Sequence, residues 1–391
     1  MTTFPLFDVV VAGAGIHGIH LTRALLENGV VDPRRFAVID PAGSPFAVWH
    51  RRVRNCGMDY LRSNGSHSIA EDFYSLRNMM GPGDWIPPYH RPATTLFARQ
   101  LDDASADLPP DVTTIRGRVE AVDSRHHRDA PHRYTVSWSP PSGSNVTRHT
   151  VNARCVILAP GQPEPLVPES FRSAPPGSVI HIHDDRFNPQ EIPPGSRILI
   201  VGGGIAAFHL ALYLARRRIS VQLWHRDPIT VHQFDSDPCF VGPRCSEAFS
   251  AISKAEDRHL LIDRSRRGGS VPPDLYRRVM REVLHNRIVL QRRVVESPLP
   301  RYDDFQLIIL STGFSAAPPA AALVRQISST LDAPVSSRGY PLPGADLAWL
   351  PGLYVTGGLA DLVLGPPARN IIGAHLARRR IVPSLSRVLK P

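Results

Sequence analysis

The feature that most constrains the fold of this chain is one pattern that occurs twice. An apolar run, a glycine-rich turn and an amphipathic stretch make up "DVVVAGAGIHGIHLTRALLENG", and the same order recurs in "RILIVGGGIAAFHLALYLARRR". A second apolar run, "FAVID" or "VQLWH", follows each copy. Buried-strand patterning that changes to helical periodicity after a glycine turn is typical of a βαβ unit. The sequence therefore predicts an α/β protein built on two parallel units.

The first turn has the spacing of a dinucleotide-binding site. Gly13, Gly15 and Gly18 form the pattern GxGxxG, which permits a tight turn, close approach of a pyrophosphate, and close packing of helix on strand. Asp40 ends the next strand, where a carboxylate accepts hydrogen bonds from a ribose diol. The helix N-terminus faces the phosphates with unpaired N–H groups. We therefore predict a Rossmann-like dinucleotide site here.

The second turn predicts a different nucleotide. Gly202, Gly204 and Ala207 keep the same frame, but the following strand ends in "LWHRDP" rather than in an acid. His225 and Arg226 are donor or cationic groups at the position where a carboxylate would repel a 2′-phosphate. NADP(H) is therefore favoured over NAD(H) at this site.

The segments between and after the two units predict how they are joined. "VTTIRGRVEAVDS", "HRYTVSWS" and "VNARCVILAPG" alternate in hydrophobicity and predict a β-meander that belongs to the first unit. Proline-rich residues 160–178 indicate a crossing between domains, and a second proline-rich break lies near residue 300. Residues 1–168 and 302–391 are therefore predicted to form one discontinuous domain, into which residues 169–301 are inserted as the second.

Composition excludes several classes of protein. The net charge of +10 suggests a nucleic-acid partner, but Lys254 and Lys390 are the only lysines and the arginines are scattered along the chain. A basic stripe with interleaved aromatic residues is missing from the sequence, so we predict no nucleic-acid binding. The longest apolar runs fall short of about eighteen residues, and the first strand begins close to Met1, so neither a membrane span nor a signal peptide is predicted. We expect a cytoplasmic protein.

The cysteines predict neither a disulfide framework nor a metal site. Cys56, Cys155, Cys239 and Cys245 are few and irregularly spaced, and none forms CxxC. The cluster "HIHDD" lacks a third well-spaced group of metal ligands. Reduced thiols and no bound metal are therefore expected.

Two such units in one chain, with "VILAPG" closing the first and "ILSTGF" following the second, resemble the two-dinucleotide-binding-domain flavoproteins. The chain is most similar to the class B flavoprotein monooxygenases, the group of flavin-containing monooxygenases, Baeyer–Villiger enzymes and lysine or ornithine N-hydroxylases. "VWHRRVRNCGMDYLRSNGSHSIAEDFYSL" resembles the stretch that follows their FAD ribose site, and "GLYVTGGLADLVLGPPARNIIGAHLA" resembles their C-terminal flavin-contacting segment. The resemblance covers essentially the whole chain. It implies FAD in the first domain, NADPH in the second, and further cofactor contacts at Trp49, Gly161, Gly313, Gly358 and Asn370.

The resemblance also implies a reaction. NADPH passes a hydride to FAD, dioxygen gives a C4a-(hydro)peroxyflavin, and one oxygen atom moves to a nucleophilic nitrogen or sulfur of a small molecule. The C-terminal similarity favours amine N-hydroxylation. Asn64 falls on the asparagine that members of the family place beside the flavin, and His67 is a candidate acid or base. The alternative is that Asn64 and Gly65 form a turn that needs positive φ, with His67 as a capping or partly exposed residue.

Other side chains have less certain roles. Asp235 and Asp237 in "FDSDPCFVGPRC" are candidates for contacting a cationic amine, although aspartate in such a segment also makes turns and helix caps. The roles of His181 and His183 stay open, because only Gly177 and His181 meet the GxxxH spacing of the family fingerprint.

Two other functions remain open at this point. A pyridine nucleotide–disulfide oxidoreductase needs a redox cysteine pair beside the flavin, where the region after Asp40 offers only Cys56. A non-catalytic flavin- or nucleotide-binding regulator is the second. The identity of the substrate, S-oxygenation or Baeyer–Villiger insertion in place of N-hydroxylation, and assembly into a homo-oligomer are open as well.

Overall fold

A computed structural model describes residues 6–127, 130–141, 148–293 and 301–390. The strands are β1 Leu6–Ala12, β2 Phe36–Asp40, β3 Trp85–Ile86, β4 Arg91–Pro92, β5 Thr113–Arg116, β6 Arg118–His127, β7 Ala130–Ser139, β8 His149–Leu158, β9 Val179–His181, β10 Arg197–Val201, β11 Ser220–His225, β12 Ile288–Arg292, β13 Leu307–Leu310, β14 Ala348–Leu350 and β15 Leu353–Val355. The helices are α1 Ile16–Glu27, α2 Ala47–Cys56, α3 Ser75–Asn78, α4 Thr94–Ala106, α5 Ile205–Arg216, α6 Pro243–Ser250, α7 Ala255–Ser265, α8 Pro273–Leu284, α9 Ala321–Leu331, α10 Asp361–Leu364 and α11 Ile371–Leu389.

The first sheet runs in the order β14-β15-β8-β1-β2-β5, with β6 and β7 attached through β8. Strand β1 pairs in parallel with β2 and β8, and its residues 9–11 are fully buried. Strands β6, β7 and β8 pair antiparallel in succession. The predicted β-meander is therefore confirmed, and the chain returns to this sheet with β14 and β15.

The second sheet is parallel throughout and runs in the order β12-β11-β10-β13-β9. Its buried side chains pack on α5 and α8, which carry apolar residues at helical spacing. Strand β13 pairs with β10 and β9, although the predicted boundary at 301/302 assigns it to the first domain. An apolar run such as "LIIL" fits either sheet, and only the pairing decides, so the predicted boundary lies too early by at least this strand.

Two linkers run side by side between the domains. Pro165 and Phe314 form an antiparallel bridge, the amide of Leu166 donates to the carbonyl of Gly313 at 3.0 Å, and the amide of Ser315 donates to that of Glu164 at 2.9 Å. The outgoing linker therefore lies against the returning one. The predicted proline-rich break near residue 300 lies partly outside the described residues.

Cys239 and Cys245 form a disulfide, with their Cα atoms 5.5 Å apart. The prediction of reduced thiols is therefore wrong for this pair. A single helical turn at 238–241 followed directly by α6 folds the chain back on itself, which brings the cysteines together without the CxxC spacing. Cys56 and Cys155 are buried thiols.

Within the described ranges, none of the helices combines the length and the apolar character that crossing a membrane requires.

Buried histidines make the core sensitive to acid. His209 on α5 is 2% exposed, and its Nε2 has no hydrogen-bond partner among the described residues. Burial lowers the pKa of His209 to about 3. In the unfolded chain this imidazole is protonated below about pH 6.5, whereas in the native protein it is protonated only below about pH 3. Native stability therefore falls as the pH drops through this window.

Replacing His209 by leucine should make unfolding less dependent on pH. We expect the urea concentration at the unfolding midpoint of the wild-type protein to decrease as the pH is lowered from 6.5 to 4. Each such histidine reduces the free energy of unfolding by about 1.4 kcal/mol per pH unit in this range. The slope should be smaller for His209→Leu and unchanged for His285→Leu, which alters an exposed histidine at the end of α8. Equal slopes for all three proteins would contradict the assignment.

Candidate active site

The first glycine turn lies at the carboxyl end of β1. Gly13 has φ +119°, and a Cβ added to it would lie 2.2 Å from the carbonyl oxygen of Ala159. A Cβ on Gly18 would lie 1.8 Å from the carbonyl oxygen of Gly13, so both positions require glycine. Gly15 caps α1 and would place a Cβ in open space. The turn thus leaves room at the helix N-terminus, which is where a pyrophosphate binds.

Asp40 lies beside this turn. It is 8% exposed, and its carboxylate accepts hydrogen bonds from the backbone amides of Ala14 and Ala42, each at 2.8 Å. These two bonds fix the carboxylate at the end of β2, where each oxygen retains a lone pair for a ribose hydroxyl. The arrangement fits the adenosine half of FAD.

The second turn repeats the geometry of the first. Gly202 has φ +143°, and a Cβ on it would lie 2.1 Å from the carbonyl oxygen of Ser311. Gly204 caps α5 and lies against Gly269, while Ala207, in the first turn of α5, is fully buried. Glycines form the entrance to α5, so its N-terminal amides are open and this turn also fits a pyrophosphate.

The two residues at the end of β11, the strand that follows the second turn and its helix, differ in exposure. His225 is 9% exposed, and its Nδ1 donates to the carbonyl of Asp227 at 2.9 Å. Arg226 is exposed, and its Nε donates to the Asp227 carboxylate at 2.9 Å. An exposed ion pair of this kind is weak and gives way readily to a phosphate. The placement fits NADPH, although it adds an acid that the sequence analysis did not weigh.

The other cofactor candidates lie around the carboxyl edges of the two sheets. Gly161 and Gly313 follow β8 and β13 at φ +85° and +82°. Gly358 packs on Pro319 and Arg369, while Asn370 caps α11. Trp49 lies on α2, whose preceding residue Phe46 donates to the carbonyl of Ala14 in the first turn, and its ring packs on that of Phe97, with centroids 5.2 Å apart.

His17 was missed by sequence analysis. Its Nδ1 lies 2.9 Å from the hydroxyl of Thr356, and its Nε2 lies 3.1 Å from the carbonyl oxygen of Asn370. A carbonyl only accepts, so Nε2 carries the proton, and burial lowers the pKa of His17 to about 4. This neutral imidazole ties the start of α1 to the start of α11. Its only sequence signal is its place inside the glycine turn.

The loop of residues 60–70 is held at its first end by the buried strand β4. The amide of Leu61 donates to the carbonyl of Pro92 at 2.8 Å, and Nε of Arg91 donates to the carbonyl of Leu61 at 2.9 Å. Arg91 is 1% exposed and also pairs with Asp274 of the second domain. This end of the loop therefore lies at the contact between the two domains.

Two histidines hold the other end of the 60–70 loop. Nε2 of His375 donates to the carbonyl of Ser68, and Nδ1 of His20 donates to the carbonyl of Ile69, both at 2.8 Å. Burial lowers the pKa of both histidines, that of His20 to about 3. The loop is thus attached to α1, which begins at the first nucleotide turn, and to α11, whose start His17 ties to α1, and it is not an ordinary solvated loop.

Asn64 makes a tight turn in the middle of this loop. Its Oδ1 accepts from the amide of Ser66 at 3.1 Å and from the Ser66 hydroxyl at 2.7 Å. Neither Asn64 nor Gly65 is among the described residues with positive φ, so the turn depends on the side chain rather than on left-handed backbone. The acceptor end of the amide serves the turn, and its donor end, Nδ2, is the part that a ligand can contact.

Burial lowers the pKa of His67 to about 4, although the nearby charge of Asp235 acts to raise it. The imidazole is therefore neutral at pH 7 and a weak base. This favours a role in hydrogen bonding over proton abstraction.

Asp235 and Asp237 differ in what they do. Asp237 accepts from the amide of Cys239 at 2.9 Å and caps the turn that follows it. Asp235 is exposed, and burial lowers the pKa values of His67, Arg62 and Arg266 while the negative charge of Asp235 acts against this lowering. The structure therefore brings Asp235, and not Asp237, to the 60–70 loop.

A buried ion cluster that sequence analysis missed lies after the last strand. Asp361 is 2% exposed, and its Oδ2 accepts from Nε of Arg369 at 2.9 Å. Arg266 of the second domain donates to the carbonyl of Pro366 at 2.9 Å and lies 3.6 Å from Oδ1 of Asp361. The segment before α11 is thereby joined to the end of α7.

His181 and His183 lie at the domain linkers. Burial lowers their pKa values to about 4 and about 3, and the ring of His183 stacks on Phe314 of the returning linker, with centroids 5.0 Å apart. Nδ2 of Asn55 donates to the carbonyl of Ile182, between them, at 2.9 Å. These contacts place the pair where α2 meets both linkers.

A model of the L-lysine 6-monooxygenase/L-ornithine 5-monooxygenase family matches residues 104–315, which is 212 of the 391 residues. A search of curated protein sequences gave no match.

Several solved structures share the fold over nearly the whole chain. The ornithine hydroxylase PvdA of Pseudomonas aeruginosa is 16% identical, with a TM-score of 0.73 over 98% of this chain and 100% of its own. The L-lysine 6-monooxygenase of Pseudomonas syringae is 18% identical, with a TM-score of 0.73 and the same coverage. The cadaverine monooxygenase DfoA of Erwinia amylovora, solved with FAD, is 14% identical, with a TM-score of 0.71 over 99% of this chain and 96% of its own. At these identities the similarity establishes the architecture, a mixed α/β fold with two Rossmann-type domains.

Proposed function

The chain belongs to the L-lysine 6-monooxygenase/L-ornithine 5-monooxygenase family, and we propose that its substrate is a small molecule that presents a cationic amine. As a member of this family it is a flavoprotein monooxygenase that uses FAD and NADPH and hydroxylates an amine nitrogen. Its glycine turns, with Asp40 at the first and Arg226 at the second, fit these two nucleotides in that order.

One observation carries the proposal of a cationic amine. The exposed carboxylate of Asp235 lies on the segment to which the 60–70 loop is bonded, since Nε of Arg62 donates to the carbonyl of Gln233 at 2.8 Å. Burial lowers the pKa of His67, and the charge of Asp235 opposes that effect. That loop is joined to α1, which begins at the first nucleotide turn, and to α11, whose start is tied to α1 by His17, so Asp235 faces the side on which the flavin is expected. A carboxylate in this position attracts an ammonium group and gives a neutral thioether no comparable contact.

Bound FAD, once reduced by NADPH, supplies the oxygen-transfer chemistry. The residues of the chain bind and orient the cofactors and the substrate, and they exclude water from the site. The N-terminus of α11 has no side-chain cap, and its unpaired amides would favour negative charge on a group bound there. Nδ2 of Asn64 is a neutral donor, which can hydrogen-bond to an anionic oxygen without protonating it. Asp235 would hold the amine in reach.

The disulfide between Cys239 and Cys245 favours a second candidate, an NADPH-dependent disulfide oxidoreductase. That activity needs the cysteine pair to exchange electrons with the flavin. A double variant, Cys239→Ser with Cys245→Ser, separates the two: amine hydroxylation should persist if the pair is structural, and NADPH-dependent reduction of a disulfide should be lost if it is the redox centre.

The function is tested by tracing oxygen. We expect the purified protein with FAD, NADPH and ¹⁸O₂ to add about one labelled oxygen atom to diamines or basic amino acids, measured by mass spectrometry. Matched thioethers of the same length are the control and should remain unlabelled. Labelled thioethers with unlabelled amines, or peroxide as the sole product from every amine, would overturn the proposal.

Neutralising Asp235 should weaken amine binding. We expect Asp235→Asn to raise the KM for the amine about tenfold or more, because a charge-assisted contact is lost, and to leave flavin reduction by NADPH unchanged. Asp237→Asn is the matched control, since an asparagine oxygen still caps the turn at Cys239. Equal KM values in the two variants would remove Asp235 from the site.

Removing the amide of Asn64 should uncouple the reaction. The Asn64→Ala protein should bind FAD and accept hydride, yet convert a several-fold larger share of NADPH into peroxide, because the neutral donor is gone. Ser66→Ala weakens the same turn without removing the donor, and it should stay coupled. If both variants leak peroxide equally, the turn alone is what Asn64 provides.

A further inference from the structure

We propose that Arg62 is a positioning residue that couples the NADPH domain to the flavin side of the active site. The inference rests on the proposed function, because the two nucleotides must meet for the reaction to occur. It concerns an arginine within the 60–70 loop, whose own role sequence analysis left undefined.

The guanidinium of Arg62 crosses from the first domain into the second. Its Nε donates to the carbonyl of Gln233 at 2.8 Å, and its Nη2 donates to the carbonyl of His232 at 2.8 Å and to the hydroxyl of Ser270 at 2.7 Å. Its Nη1 donates to the carbonyl of Ser270 at 3.2 Å. All three nitrogens are used, so the fork is held in one orientation.

The acceptors belong to two segments that are hydrogen-bonded to each other. The amide of His232 donates to the carbonyl of Val271 at 2.9 Å, and the amide of Arg267 donates to the carbonyl of Asp235 at 2.8 Å. Arg62 therefore holds residues 230–237 and 266–271 as one unit.

This unit contacts the second nucleotide turn and also carries the proposed amine contact. Gly269, which precedes Ser270, packs on Gly204 at the second nucleotide turn. A Cβ added to Gly204 would lie 3.4 Å from the Cα of Gly269. The other segment carries Asp235, the proposed amine contact. On the first-domain side, Arg62 is two residues from Asn64. A single side chain thus links the pyrophosphate turn, the amine contact and the flavin side.

The chemistry of Arg62 suits this task. Burial lowers its pKa to about 10, and the group stays charged at neutral pH. The planar fork of an arginine serves several acceptors at once, whereas a lysine offers one ammonium on a flexible stem. Removing the fork leaves the carbonyls of 232, 233 and 270 without these donors, which loosens both segments.

The first test measures the coupling without any cofactor. In the apoprotein, hydrogen exchange of the amides in 230–237 and 266–271 should be about tenfold faster in Arg62→Met than in the wild type, and intermediate in Arg62→Lys. Arg216→Met is the matched control: Arg216 also crosses between the domains, to Asp59 at 2.9 Å, but it is exposed and away from this unit. Its exchange in these segments should equal that of the wild type.

The second test measures catalysis in the holoenzyme. The rate constant of anaerobic flavin reduction at saturating NADPH should fall about tenfold in Arg62→Met, with a larger share of peroxide in air, while Arg216→Met stays near the wild type. Hydride transfer needs no amine, so this result stands even if amine hydroxylation fails.

Unchanged exchange, or faster exchange with an unchanged reduction rate, would overturn the proposal, since the second result would leave Arg62 a purely structural contact. If Arg62→Met does not fold, Arg62→Lys carries both tests with smaller effects in the same direction.

Discussion

The closeness of each glycine turn to the neighbouring strand is the constraint on which the rest of the structure depends. At Gly13 and at Gly202 a single added carbon would run into the backbone of the strand alongside, at Ala159 and at Ser311. The helix can start directly above the sheet only because these side chains are missing. Both nucleotide turns, and the edges at which the side chains converge, follow from that contact.

The sequence predicted what depends on local pattern and short spacing. The two βαβ units, the meander and the glycines at 13 and 202 are recognisable because each depends on residues close together in the chain. The boundary near 301, in contrast, failed because β13 is an apolar strand that fits either sheet, and only its pairing partner decides.

The candidate site was less predictable, because it is assembled by contacts between distant residues. Arg62 meets Ser270, and His17 meets Asn370, across separations that no spacing rule describes. The disulfide was missed for a similar reason, since a turn and a helix start, rather than a motif, bring Cys239 and Cys245 together. Asn64 was selected by resemblance, and its side chain builds a turn with Ser66 that does not use the positive φ of the competing explanation.

The paired linkers bear on how a chain of this kind can arise. The chain leaves the first domain at residues 164–166 and returns to it at residues 313–315, and these two linker segments lie antiparallel beside one another. A domain whose two ends are neighbours can be added to, or removed from, a host loop without pulling the host apart. The first domain could then have existed as a flavin binder with a short loop at that point, and a single recombination event would have supplied it with a reductant.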